Sequence, residues 1–212
     1  MKKIPTLFVR DPDDMRHVTR EVHPECGWVA AGLGVATRKY DGTCVALLYT
    51  DGEVVSTQPP TSGPSIETVE LRWFARREVK SGKQPPIGFI PVEHDETTGK
   101  TVGWEPIERS AFAKWHAQAL ASHAANFGQE VFDPGTYELI GVKINGNPER
   151  IDPDLGHQLM RHDSAERLLD APRDFDGLAE YLADFDGEGI VWHPYPDRRM
   201  AKIKRRDFRG MP

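Results

Sequence analysis

A chain of 212 residues suits one large domain or two small ones, and 38% hydrophobic residues with five Trp and nine Phe argue against disorder. The 27 basic and 33 acidic side chains give a formal charge of −6, which excludes a uniformly basic nucleic-acid coat protein but not local basic patches. Two cysteines, Cys26 and Cys44, exclude a disulfide framework and favour a reducing, cytoplasmic setting, and no apolar run has the length of a signal-peptide core or a membrane span.

In chain order, "IPTLFVRD" reads as a short strand ending at the acidic turn "DPDD". "GWVAAGLGVAT" reads as a loop that runs into a strand over Gly34 to Thr37. "TCVALLYT" is an apolar strand, Asp51-Gly52 a hairpin turn, "EVVST" the return strand and "QPPTSGPS" a loop. "VELRWFARREV" is a further strand, followed by an extended connection with turns over "SGKQPPIGFIPVEHDETTGK". The strongest helical stripe, Ile107, Ala111, Phe112, Trp115 and Ala119, predicts a helix from Glu105 to Phe127, with Pro106 in its first turn and Gly128 at its end. Trp104 is expected to staple that helix and Trp115 to face the core. "TYELIGVKI" is a strand closed by the "NGNP" turn; "SAERLLD" and "FDGLAEYLADF" are short helices; "GIVWHP" and "RMAKIKRRDF" are the last two strands. With 17 Pro and 19 Gly favouring turns, many strands and few helices define an α+β protein.

The chemistry centres on "ATRKYDGT". Lys39 leaves a strand just before Asp41-Gly42, where Gly42 would permit φ > 0 and the close approach of a phosphate. A lysine at a strand end beside other cations can act as a nucleophile toward phosphorus; an ordinary surface lysine ahead of a turn fits the same five letters. Downstream, Arg76 and Arg77 sit on a basic strand, Glu138 lies mid-strand among apolar neighbours, Glu188 precedes Gly189, and Lys202 and Lys204 share one side of a strand by period two. Two carboxylates and three lysines at such positions suit ribose hydroxyls, hydrated Mg²⁺ and phosphate charge. The basic stretches Arg72 to Lys83 and Arg198 to Arg209 fit either solvated faces or a polyanion surface, with Arg205, Arg206 and Arg209 as RNA-backbone candidates. His23 and Cys26 have metal-like spacing but no second pair, Asp152, Asp154 and Asp163 read as caps and turn formers, and Cys44 reads as a small buried residue.

The ordered series Lys-x-Asp-Gly, basic strand, Glu, Glu-Gly-Ile-Val, Lys-x-Lys resembles the covalent nucleotidyltransferase superfamily of ATP-dependent ligases and GTP-dependent capping enzymes. Within it, "KKIPTLFVRD", "ATRKYDGT", "RREVKSGK", "YELIGVKINGNP" and "EGIVWH" are most similar to the small 5′-to-3′ RNA ligases of the vertebrate type, over nearly the whole chain. The resemblance implies a single nucleotidyltransferase domain over residues 1–212, an ATP-grasp-like ligase adenylation fold with antiparallel sheets about a central nucleotide cleft and helices outside, without a C-terminal OB-fold. It implies a monomeric enzyme that joins 5′-phosphate and 3′-hydroxyl RNA ends using ATP and Mg²⁺ or Mn²⁺. Lys39 would carry AMP; Arg76, or else Arg77, would contact ribose or the RNA 5′-phosphate; Glu138 would bind ribose; Glu188 would join the metal's shell; Lys202 and Lys204 would hold the α-phosphate. Thr37 stands near the adenine, where many relatives have Glu, and "KINGNPERIDPDLGHQLMRH" lacks the aromatic that stacks on the purine in many of them. The alternatives are a guanylyltransferase of the capping type, a DNA-ligase-like adenylation domain and a non-catalytic RNA-end-binding module.

Overall fold

The computed structural model describes residues 3–51, 54–59, 69–128, 132–194 and 199–210, the side chain of residue 127 aside. Gly52 of the expected hairpin turn, the loop beyond residue 59, and Arg198 at the edge of the second basic stretch lie outside the described residues. The fold is mixed α/β, with mostly antiparallel sheets and few helices. No helix among the described residues is long and apolar enough to cross a membrane. The chain divides into two compact units, one of Gly42–Ser164 and one of Lys3–Asp41 with Ala165–Pro212.

The first unit is built on strand β4 (Thr43–Thr50), whose "TCVALLYT" is nearly all apolar because both faces of the strand are covered. Strands β5 (Val55–Ser56), β6 (Glu70–Val79), β7 (Ile90–Asp95), β8 (Lys100–Pro106), β9 (Gly135–Gly141) and β10 (His157–Arg161) complete an antiparallel sheet of order β10-β9-β4-β6-β8-β7, with β5 paired to β4. Alternation assigns its faces. Val45, Leu47, Ala75, Tyr137 and Leu139 point to one side, where they meet Ala119 of helix α2 (Ala113–Phe127) and the half-buried Trp115. Ala46, Leu48, Phe74, Ile90 and Trp104 point to the other, with Cys44 packed against them.

Three expectations change here. The helix starts at Ala113 rather than Glu105, because residues 101–106 pair with β6, where continuous burial over residues 102–106 and a full ladder outweigh the helical stripe. Pro106 therefore ends a strand, and Trp104 packs in the sheet instead of stapling the helix. The "extended connection" holds the β7–β8 hairpin, turned by Asp95, which accepts from the N–H groups of Thr97 and Thr98, and by Gly99 at φ 65°. The "DLGHQLMR" stretch supplies β10, which pairs with β9 along its whole length. Gly128 ends α2 and Trp115 packs against the core, as their types suggest.

The second unit holds the hairpin β1 (Phe8–Asp11) and β2 (Asp14–Val22), and a three-stranded sheet of β3 (Val35–Lys39), β11 (Gly189–His193) and β12 (Ala201–Lys204) in the order β12-β11-β3. Helices α1 (Gly27–Ala30) and α3 (Phe175–Ala183) complete it. The expected helix over residues 164–170 does not form: Ser164 ends a 3-10 turn (His162–Ser164), the Leu168 N–H donates to Ala36 and the Arg38 N–H to Glu166, so residues 165–170 run along the free edge of β3. On the opposite edge Lys202 exchanges backbone bonds with Pro5 and Leu7. One face of this sheet (Ala36, Ile190, Trp192, Ala201 and Ile203) enters a core with Leu7, Phe8, Leu178, Leu182 and Phe208. Because side chains alternate, the other face is left to Thr37, Lys39, Val191, Lys202 and Lys204.

Asp207 locks the hairpin to the end of the chain. It is 2% exposed, lies 2.8 Å from Arg10 and accepts the Lys204 N–H at 2.8 Å. Asp207→Ala is expected to destabilise the protein by about 3 kcal/mol, and Asp207→Asn by less because it keeps the cap, as read from urea denaturation midpoints.

Candidate functional site

The polar face of the three-stranded sheet carries the first cluster. Cross-strand register places Lys39 opposite Gly189 and Gly189 opposite Lys204, and in the next row Thr37 opposite Val191 and Val191 opposite Lys202. A glycine between two lysines keeps the row open. A Cβ on Gly189 would lie 2.1 Å from the Ile203 carbonyl oxygen, so the strands approach too closely there for any side chain. Glu188, just before it, sends its carboxylate to both lysines: Oε2 pairs with Lys39 Nζ and Oε1 with Lys204 Nζ. Arg206 stands 3.7 Å from Oε1. The Glu188 side chain is 8% exposed, against 19% for Lys39 and 15% for Lys204.

These charges set one another. Burial alone pushes the Glu188 carboxyl up, but Lys39 and Lys204 outweigh it and hold the group below its ordinary value. Glu188 is therefore a fixed anion that aims Lys39, and a poor base for removing its proton. Lys202 is pushed down to about 8, first by burial and then by Lys204 and Lys39, against the smaller pull of Glu188 and Asp207. Three ammonium groups around one carboxylate leave a surplus of positive charge that a phosphate would relieve. Thr37 is buried, and its hydroxyl donates to the Val191 carbonyl oxygen at 3.1 Å, so it braces β3 against β11.

The second cluster lies in the other unit, on the sheet face of Ala46 and Phe74. Glu138 is 8% exposed. Its Oε1 accepts the Gly42 N–H at 3.1 Å, and its Oε2 lies 2.9 Å from His162 Nε2. His162 Nδ1 is 2.9 Å from Thr136 Oγ1, which shares the strand face of Glu138 by period two. Glu138 pairs in register with Cys44, and one further step of the β4–β6 register sets Arg76 beside Cys44 and opposite Trp104. Arg76 thus shares the face of Glu138. Arg77 points to the opposite, helix-covered side, 4.0 Å from the buried Glu105, whose carboxyl is raised by burial and only partly restored by Arg77. Of the two arginines considered from sequence, Arg76 is the one on the face of Glu138.

Gly42 owes its identity to packing. It is not among the residues with positive φ; a Cβ there would meet the Leu139 carbonyl oxygen at 2.3 Å, Ile140 at 2.8 Å and Glu138 at 2.9 Å. The need is a close strand approach rather than the left-handed turn expected from "DGT". The "NGN" turn, with Asn145, Gly146 and Asn147 at φ 49°, 81° and 63°, closes over it, and the Asn145 amide donates to the Gly42 carbonyl at 2.8 Å.

Cys44, Glu138 and His162 hold one ligand atom each within 4.8 Å of one another. This N, O, S set suits Zn²⁺ better than Mg²⁺, which prefers oxygen donors. Glu188 offers hard oxygens, but both face ammonium groups, so an ion there would enter together with phosphates. His23 and Cys26 form no metal pair: His23 Nδ1 accepts the Glu25 N–H, and the Cys26 thiol is buried and directed at the Thr6 carbonyl. Asp152 caps the turn at Pro153–Leu155, as expected, and Asp163 pairs with Arg161. His162 was invisible in the sequence, because it lies 24 residues from Glu138 and after a strand that carries no recognisable signal.

No protein-family model matches the chain, and no curated protein matches it.

Two outcomes follow from this geometry. Gly42→Ala is expected to cost about 3 kcal/mol in chemical denaturation, because the methyl group meets backbone that no rotamer change can move. Lys202→Met is expected to stabilise the fold at pH 7 by at most about 3 kcal/mol, read as a higher melting temperature, since the folded wild type must hold a disfavoured charge there. Lys202 has its folded value below its unfolded one, so its penalty is full below about pH 8. The wild type should regain stability from there up to its ordinary value near 10.5, closing the gap to the variant.

Proposed function

We propose that the chain is an ATP-dependent RNA ligase of the covalent nucleotidyltransferase class, acting through a Lys39 adenylate. The observation that carries this reading is the Glu188 carboxylate held between Lys39 and Lys204, with Lys202 on the same face. Such a group aims one amine and surrounds its target with cations, which is what attack on a phosphate requires.

In this reading Lys39 Nζ, after losing a proton to water, forms a bond to the α-phosphorus of ATP while the bond from that phosphorus to the bridging β-phosphate oxygen breaks and pyrophosphate leaves. A 5′-phosphate oxygen of RNA then takes the AMP, breaking the N–P bond and restoring the lysine. A 3′-hydroxyl oxygen, giving its proton to water, attacks the activated 5′-phosphorus, which closes the phosphodiester and expels AMP. Lys204 and Lys202 neutralise the charge gathering on the phosphate at each stage. Glu188 is the carboxylate that would hold Mg²⁺ or Mn²⁺ alongside nucleotide phosphates, where the ion would supply further charge neutralisation. Glu138 is fixed within its own unit by Gly42 and His162; a ribose-binding role for it, and a ribose or RNA 5′-phosphate role for Arg76, rest on the sequence resemblance alone.

The test is labelling with α-phosphate-labelled ATP and Mg²⁺ under reducing conditions. Wild type should take an acid-labile label, Lys39→Ala none, and Lys204→Ala should label about a hundredfold more slowly or worse. Label from GTP in place of ATP would move the assignment to a capping-type guanylyltransferase, and no label from either nucleotide would refute the covalent mechanism.

A further inference from the structure

A groove of about 910 Å³ within the second unit begins at two of these lysines and extends well beyond them. It runs from Lys202 and Lys204 past the N-terminal segment at residues 3–6 to the hairpin residues Arg10, Met15, Arg16 and His17. That volume lies near the top of the range of about 300–1,000 Å³ for single small-molecule sites. Among the described residues, six cationic side chains line it (Lys3, Arg10, Arg16, Lys202, Lys204 and Arg206) against two acids, Glu25 and Asp207. Asp207 is already committed to Arg10 and to the Lys204 N–H. Counting the flanking Asp14, which holds Arg16, and Glu188, which holds Lys204 and lies near Arg206, cations still outnumber acids.

The lining also says what the groove would read. Among the described residues it contains no Phe, Tyr or Trp on which a base could stack, so recognition by them would fall on charge rather than on base identity. Arg16 and Arg206, with side chains 84% and 65% exposed, can swing toward a flexible anion. Arg209, a sequence candidate for the RNA backbone, pairs with Asp11 and lies 3.9 Å from Asp14. At one end the groove meets the two lysines on the Lys39 face of the sheet. A chain of phosphates with a charged terminus fits this layout better than a compact ligand.

We propose that this groove binds the 5′-phosphate end of a single RNA strand, with Lys3, Arg16 and Arg206 on backbone phosphates and the terminal phosphate directed to Lys202 and Lys204. The assignment of RNA rests on the ligase reading above; the site itself rests on the cavity and its charges.

The test is fluorescence anisotropy with a short 3′-labelled, 5′-phosphorylated single-stranded RNA, titrated without nucleotide over a series of salt concentrations. The Lys3→Glu/Arg16→Glu double variant changes only exposed side chains, and its fold is checked by circular dichroism. It should bind about tenfold more weakly or worse, with a log–log salt slope shallower by about 1.4, the loss of two single-strand phosphate contacts. The same RNA with a 5′-hydroxyl should bind wild type several-fold more weakly. Equal affinity and slope in the variant would overturn the groove as a site, and equal binding of the two RNA ends would overturn the delivery of the terminus. Stronger competition by a poly-glutamate peptide than by unlabelled RNA would overturn RNA as the occupant. Because binding is read without ATP, a chain that binds RNA through the groove yet takes no label from ATP contradicts the proposed reaction and not the groove.

Discussion

A carboxylate buried between two ammonium groups, with a glycine opposite both, is the constraint on which the second unit turns. Taking charges out of water is costly unless they are paired, and Glu188, Lys39 and Lys204 meet that demand only because three strands bring them into one row. Lys202 in the adjacent row is left with less compensation, and its depressed proton affinity records it. Such a cluster is a poor device for stability alone, since an apolar face of the same shape would avoid the desolvation. Its surplus of positive charge makes sense as a site prepared for an anion.

The rest of that unit keeps the row in place. The opposite face of the sheet is dry, with Trp192, Ile190 and Ile203 fully buried, so the strands have no freedom to slip by one residue without driving lysines into the core. Both outer edges are covered by extended segments. Asp207 ties the turn after β12 to Arg10 of the hairpin, and so holds the strand that carries Lys202 and Lys204. The first unit uses a different device for the same end: Glu138 is fixed by a backbone N–H on one oxygen and an imidazole on the other, in a spot where Gly42 alone fits.

How much of this was legible depended on whether the signal was local. Strands β4, β9 and β11 announce themselves by apolar, β-branched runs, β6 by its apolar Trp73-Phe74-Ala75 centre, and helix α3 by its stripe and by Asp174, whose side chain caps the Gly177 N–H. Lys202 and Lys204 sharing a face follows from strand period alone. Strands β2 and β10 escaped because "DMRHVTREV" and "HQLMR" are polar segments that become strands by pairing with a neighbour. Residues 105–106 and 165–170 look helical in isolation and are claimed by sheet edges that only the tertiary structure supplies. Gly42 was singled out, but for a turn conformation it does not adopt. His162, the partner that fixes Glu138, had no signal at all, because hydrogen bonds across 24 residues leave no pattern in composition or period.

The central claim is that Lys39 forms a covalent bond to a nucleotide. Its most direct test is intact-mass and peptide-mapping mass spectrometry of the wild-type protein after incubation with ATP and Mg²⁺ in neutral buffer. The predicted result is one added adenylate, located on the peptide that contains Lys39 and removed by mild acid. An unmodified protein, or an adenylate carried on any other residue, would contradict it.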